Sequence, residues 1–291
     1  MSSRSPPFVA RSPTAHRRSA GRRATGDGGD AHGAVDGVDA HGAADDGAER
    51  DTAVADDPPV DRVETGPADA DEAGRGAPTP EGAPVVARDA VPAAHPTETV
   101  GAVVLAAGTG SRFDDGNKLL QPVDRVPIVR RAVETVVRSA VDEVVVVVGH
   151  EAPAVRAALA DAPVDVVENP DYREGQSTSL RRGVAAARDR DWSAAVFALG
   201  DMPFVRPASV DLLLRAYADG AGSVLVAAYR GRRGNPVLFD ARHFDALSRV
   251  TGDAGGRAVL AAADDLALVE TDDPGVTRDV DTVADYESYV G

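Results

Sequence analysis

The segment "LAAGTGSRFDDGNKLL", Leu105 to Leu120, brings Gly108, Gly110, Gly116, Arg112 and Lys118 into one stretch. Of the chain's 31 basic residues, every one but Lys118 is an arginine. These residue types in this order suit a ligand carrying several negative charges. The small residues Ala106, Ala107 and Gly108 let the backbone approach a ligand closely. Successive N–H groups of a glycine-rich loop form a nest for anions. Arg112 offers a planar fork for phosphate oxygens, and Lys118 a compact charge on a flexible stem. A lysine in so arginine-biased a chain is expected where a guanidinium is too wide. Two familiar phosphate loops do not fit. The G-x-x-x-x-G-K-[ST] pattern fails because five residues separate Gly110 from Gly116, Asn117 comes next, and Leu119 follows Lys118. The G-x-G-x-x-G fingerprint has Phe113 in its third glycine place, and Gly149-His150 stands where its acidic residue belongs.

Other segments carry candidate chemistry. Asp201 follows a glycine in "LGDMP", and Asp281 closes "DVD". Each of these carboxylates also has a plain reading, as a turn residue or a cap of the next helix. "GQSTSL" opens a helix with Gly175, Ser177 and Ser179, where hydroxyls and free N–H groups favour an anion or simply cap the helix. "GRRGNPVLF" sets Arg232, Arg233 and Asn235 on a turn, and "GDAGGR", Gly252 to Arg257, is a second glycine-rich helix start. His150 and His243 are isolated and receive no role.

The elements that must position these residues alternate. Apolar runs at Val100–Ala107, "DEVVVVVGH", "VDVVENP", "SAAVFALGDMP" and "LALVET" read as strands. Five consecutive valines fit a strand covered on both faces. "PIVRRAVETVVRSA", "APAVRAALADA", "STSLRRGVAAARDR", "RPASVDLLLRAYADG", "GDAGGRAVLAAA" and "DTVADYESYV" read as helices, and "GSVLVAAYRGRRGNPVLFD" as two strands around a turn. The order predicts an α/β fold: a mostly parallel sheet, helices on both faces and right-handed crossovers. Ligands in such folds gather at the carboxyl ends of the strands, where the segments above all fall.

Composition divides the chain at Glu98. Residues 1–98 hold no Leu, Ile, Trp or Tyr and one aromatic, Phe8. Such an Ala/Gly/Asp/Pro-rich acidic stretch buries too little apolar area to offset its chain entropy, so a disordered tail is expected. It is read as a solvated segment, or as upstream sequence translated from a start codon placed too early. Residues 99–291, about 190 in number, suit one α/β domain. The net charge of −16 argues against nucleic-acid binding and fits a salt-rich cytoplasm, where ions screen self-repulsion. There is no cysteine, hence no disulfide, thiolate site or cysteine nucleophile. No apolar run reaches the roughly 18 residues that span a bilayer, and no secretory signal follows the Arg pairs near the start, so a cytoplasmic protein free of membranes is expected.

Taken together, "VLAAGTGSRF", "NKLL", "GQSTSL", "LGDMP", "GRRGNPVLF", "TGDAGGRAVL" and "DVDTVADY" resemble the MobA-like NTP transferase family over Thr99 to Gly291, most closely its molybdenum cofactor cytidylyltransferase branch. The resemblance implies a Rossmann-like three-layer nucleotidyltransferase fold. It implies an enzyme that joins a nucleoside triphosphate to an acceptor phosphate and releases pyrophosphate. Leu105, Ala106, Ala107, Gly108 and Gly110 would cradle the nucleotide, together with Gly175, Ser177 and Ser179. Arg112 and Lys118 would stabilise the triphosphate. Asp201, and with it Asp281, would hold Mg²⁺, a hard cation that takes one or two carboxylates plus water. "LAAG" rather than "LAGG" favours CTP over GTP, with molybdenum-loaded molybdopterin as acceptor and a molybdenum hydroxylase as client. The alternatives are a guanylyl or sugar-phosphate nucleotidyltransferase, or a nucleotide-binding cofactor chaperone.

Overall fold

The computed structural model describes residues 82–110, 116–252 and 255–290, all within the unit Glu64–Gly291. The strands are β1 (Val85–Val86), β2 (Val100–Ala106), β3 (Pro122–Val123), β4 (Val126–Pro127), β5 (Val144–Val148), β6 (Asp165–Glu168), β7 (Ala194–Leu199), β8 (Val224–Tyr229), β9 (Arg232–Asp240) and β10 (Leu266–Glu270). The helices are α1 (Ile128–Val137), α2 (Ala152–Ala158), α3 (Gln176–Arg188), α4 (Pro207–Ala218), α5 (Phe244–Leu247), α6 (Arg257–Ala262) and α7 (Val283–Val290).

Eight strands form one sheet in the order β1-β10-β8-β9-β7-β2-β5-β6. Every pairing is parallel except those of β9, which runs against both β7 and β8. The expected mostly parallel α/β sheet is therefore what forms. The valines of β5 explain the layering. Val144, Val146 and Val148 join a core with α1, α2 and α4. Val145 and Val147 join a second core with α3, α5 and α6. A strand buried on both faces has no polar position to spare, which is why it reads as a continuous apolar run. Among the described residues, no helix is long and apolar enough to cross a membrane.

One close approach sets the geometry of the carboxyl edge. The Gly200 N–H donates to the Leu105 carbonyl at 2.9 Å, and a Cβ on Gly200 would lie 3.1 Å from both that oxygen and the Ala106 Cβ. The end of β7 thus lies directly on the end of β2, and Asp201 emerges beside the glycine loop.

The sheet begins earlier than composition indicates. β1 pairs in parallel with Leu268 and Val269 of β10. Ala83 packs on one core, and Val86 and Val91 on the other. The boundary at Glu98 is thus corrected: part of the expected tail is an edge strand. A two-residue strand is too short to show a period, and its partner lies near the far end of the chain. Residues 1–81, the rest of that stretch, lie outside the described residues. The short antiparallel pair β3–β4 and α5 carry no clear sequence signal either.

A shortened chain starting at Thr99 should unfold at lower urea than one starting at Gly82, by about 1–2 kcal/mol for the apolar surface left uncovered on β10 and the two cores. Equal midpoints would show that β1 contributes nothing.

Candidate active site

Lys118 opens a 3-10 turn, Lys118–Leu120, whose preceding residue Asn117 accepts the Leu119 N–H on its side-chain oxygen at 3.0 Å. That buried turn aims the lysine inward. Its Nζ donates to Asp201 Oδ2 and to Asp281 Oδ1, each at 2.8 Å. Burial pulls the ammonium toward neutrality, but Asp201 and Asp281 more than offset this and hold its pKa above the ordinary lysine value.

The two carboxylates arrive from different segments. Asp201 follows β7. Asp281 is brought in by the stretch after β10, whose Val280 N–H donates to the Asp201 carbonyl at 3.0 Å. Upstream, that stretch is anchored by Asp273, which is 2% exposed. Its Oδ2 accepts from the Arg206 N–H and the Ser209 hydroxyl, and its Oδ1 from the Gly275 N–H. Sequence reasoning passed over Asp273, because two of its donors, Arg206 and Ser209, lie more than sixty residues away and no local rule joins them.

Asp279 completes the cluster. Burial, then the Asp281 and Asp201 charges, push its carboxyl up to about 6. Asp201 Oδ1 is buried and has no hydrogen-bond partner among the described residues. An orphaned carboxylate oxygen in such a place costs free energy unless a cation meets it. Among the described residues no group of three or more His, Cys, Asp or Glu side chains forms a metal site. A divalent ion here would therefore rest on Asp201 and Asp281, with ligand oxygens and water filling the remaining positions, an arrangement that suits Mg²⁺.

Beside the cluster lies a cavity of about 330 Å³. The sequence-derived residues Leu105, Ala106, Ala107, Gly108, Gly110, Lys118, Gly175, Ser179 and Asp201 all line it. Gly110 holds the loop in a left-handed turn, φ 58°. Ser177 does not line it. It is 1% exposed and buried in the protein, because residues three apart on α3, Gln176 and Ser179, share the face toward the loop. Ser179 faces the cavity while its hydroxyl accepts from Asn169 Nδ2 at 2.9 Å. Arg112 lies outside the described residues. Two further residues of the lining, Tyr172 and Arg173, belong to no motif that sequence reasoning singles out, and a third, Gln176, lies within "GQSTSL" but receives no role there. Arg173 stacks over the Tyr172 ring at 5.4 Å and adds a guanidinium to the wall.

Residues 102–267 match the family model described as the MobA-like NTP transferase domain. The chain belongs to that family. The match spans the glycine loop, Lys118 and Asp201, and ends before Asp281. A curated relative, the nicotine blue oxidoreductase of Paenarthrobacter nicotinovorans, is 36% identical over 190 residues, covering 62% of this chain and 91% of the relative. A nucleotidyl transferase of Methanothermobacter, Mth528, superposes with TM-score 0.57 at 32% identity, covering 66% of this chain and 96% of that one. The manganese complex of Rv0371c from Mycobacterium tuberculosis superposes with TM-score 0.54 at 26% identity, covering 67% and 98%. This MobA-like chain is a nucleotidyltransferase by family and fold, and a nucleoside triphosphate is its class of substrate.

The raised Asp279 pKa has a thermodynamic consequence. The folded state keeps a proton that the unfolded chain releases from 3.8 upward, so this group's contribution to stability falls as pH rises from 3.8 through about 6. In EDTA, Asp279→Asn should raise the urea midpoint at neutral pH and leave it nearly unchanged at the acid end of that window. A difference that does not vary with pH would contradict the assignment.

Proposed function

We propose that the protein transfers a cytidylyl group from CTP to the phosphate of molybdenum-loaded molybdopterin, with release of pyrophosphate. One observation carries the reading: the Lys118 ammonium, held at 2.8 Å by Asp201 and Asp281, sits at the edge of a cavity walled by Leu105–Gly110. This arrangement supports a phosphate-handling role. In the transfer an acceptor phosphate oxygen forms a bond to the α-phosphorus, and the bond from that phosphorus to the bridging oxygen breaks. Negative charge gathers on the phosphoryl oxygens and on the departing pyrophosphate, so catalysis is mainly positioning plus positive charge.

Each residue has a part in this reading. The loop N–H groups and Gly175 orient the nucleotide. Lys118, together with Arg112 and Arg173, neutralises the triphosphate. Asp201 and Asp281 would hold Mg²⁺, which would supply Lewis-acid stabilisation of phosphate oxygens. Asp279 adds negative charge that strengthens the hold on cations. CTP is favoured by the "LAAG" strand end, and the molybdopterin acceptor by the resemblance of the motifs as a set.

The name of the Paenarthrobacter relative raises a second reading, redox chemistry. The loop speaks against it. Phe113 replaces the third glycine of a dinucleotide fingerprint, and β5 ends at Gly149-His150 without an acidic residue for a ribose.

Pyrophosphate release from CTP, GTP, ATP and UTP, with Mg²⁺, molar KCl and molybdenum-loaded molybdopterin, tests the proposal. Release with CTP alone is expected, along with no oxidation of NADH or NADPH. Release with GTP alone would make the protein a guanylyltransferase. Release with only a sugar phosphate as acceptor would replace molybdopterin.

In the same assay Lys118→Ala and Asp201→Ala should each lower turnover at least about a hundredfold, as expected for lost transition-state charge stabilisation. Lys118→Arg should not restore it, because the wider guanidinium cannot be seated between the two carboxylates. Near-normal turnover in any of the three would refute the site.

A further inference from the structure

A second cavity, of about 550 Å³, is lined by Tyr229, Arg230, Arg232, Pro274, Thr277 and Arg278. It lies at the β8–β9 turn, and the nucleotide cavity shares none of its residues. Three guanidiniums around one hollow are unexpected in a chain of net charge −16. Many other arginines are met by carboxylates: Arg88 pairs with Asp272, Arg206 with Asp273 and Arg242 with Asp240. Among the described residues, no ion pair is formed by Arg230, Arg232 or Arg278.

Local structure prepares these side chains. Arg230 and Gly231 both take left-handed conformations, φ 52° and 73°. Glu270 pins the turn by accepting the two backbone N–H groups, at 2.8 and 2.9 Å. The carboxylate nearest the turn is thereby engaged with backbone. Arg230 stacks over the Tyr229 ring at 5.1 Å, and Arg278 over Tyr289 at 5.8 Å. Stacking of this kind reduces the entropy lost when a guanidinium grips a ligand. Strand pairing then separates two adjacent arginines. Arg232 lies opposite Tyr229 and Arg233 opposite Ala228, so they take opposite faces of the sheet, and only Arg232 lines this cavity. Asp279, next to Arg278, is influenced by Asp281 and Asp201 instead.

We propose that this cavity is a second anion site, one that binds a phosphoryl group. Guanidinium forks match the oxygens of a phosphate, three arginines line this one cavity, and Tyr229 and Pro274 add apolar wall. The segment that supplies Thr277 and Arg278 continues to Asp281. Arg278 is extended, and three extended residues span about 10 Å. The phosphoryl group belongs either to a phosphate ester on the acceptor or to a free inorganic anion. The site stands whether or not the transfer reading holds.

Calorimetric titration of pyrophosphate into the full chain at low salt tests it. Wild type should show two classes of site. The combined Arg230→Gln, Arg232→Gln, Arg278→Gln variant should lose one of them, with affinity falling at least about tenfold, while its CTP affinity and circular dichroism stay unchanged. Lys118→Ala should keep the class that the triple variant loses. That class should weaken on adding KCl, as exposed charge contacts do. Phenyl phosphate bound more tightly than inorganic phosphate assigns the site to an ester; the reverse order assigns it to a free anion. A folded triple variant with the wild-type isotherm would overturn the proposal, as would a wild type showing a single class abolished by Lys118→Ala.

Discussion

One ammonium group ties together three segments that are remote in sequence. Lys118 bonds to carboxylates 83 and 163 residues away, one reaching it from the end of β7 and the other from the loop segment before α7. The bridge is short, largely buried and surrounded by a third carboxylate. Two aspartates this close would repel each other strongly without a cation between them, and a buried lysine would be driven neutral without them. Each member therefore makes the others tenable, and the glycine loop is laid over the result.

The sheet makes this meeting geometrically obligatory. β2 and β7 are neighbours and parallel, so their carboxyl ends coincide, and Gly200 removes the side chain that would hold them apart. Asp281 has no strand to carry it. Its approach depends on Asp273, a buried carboxylate that two donors, the Arg206 N–H and the Ser209 hydroxyl, fasten to the start of α4, and on one backbone bond from Val280 to Asp201. The apolar layers fix where strands end. A few polar contacts then decide where the loops between them go.

Charge is distributed with the same economy. Most described arginines are met by acidic side chains, as an acidic chain readily allows. Among the described residues Arg125, Arg173, Arg181 and Arg215 form no ion pair, and three more that form none, Arg230, Arg232 and Arg278, line one cavity at the β8–β9 turn. Where a net-negative protein leaves positive charge uncompensated, a bound anion is the natural counter-charge.

Sequence alone determined the layered α/β plan, because strand and helix periods and a five-valine run depend only on local pattern and burial. It also marked the glycine loop and the lone lysine as candidates, since glycines and a solitary Lys in an arginine-rich chain stand out by type. Asp201 and Asp281 were legible as candidates but not as partners of Lys118: no local rule links positions 83 or 163 residues apart. Tertiary structure decided that pairing. It turned Ser177 inward and Ser179 toward the cavity, because helix phase is set by the packing of α3. It sent Arg232 and Arg233 to opposite faces, because a strand alternates only relative to the sheet it joins. It drew Val85 and Val86 into that sheet, because an edge strand two residues long is defined by its partner and not by its own sequence.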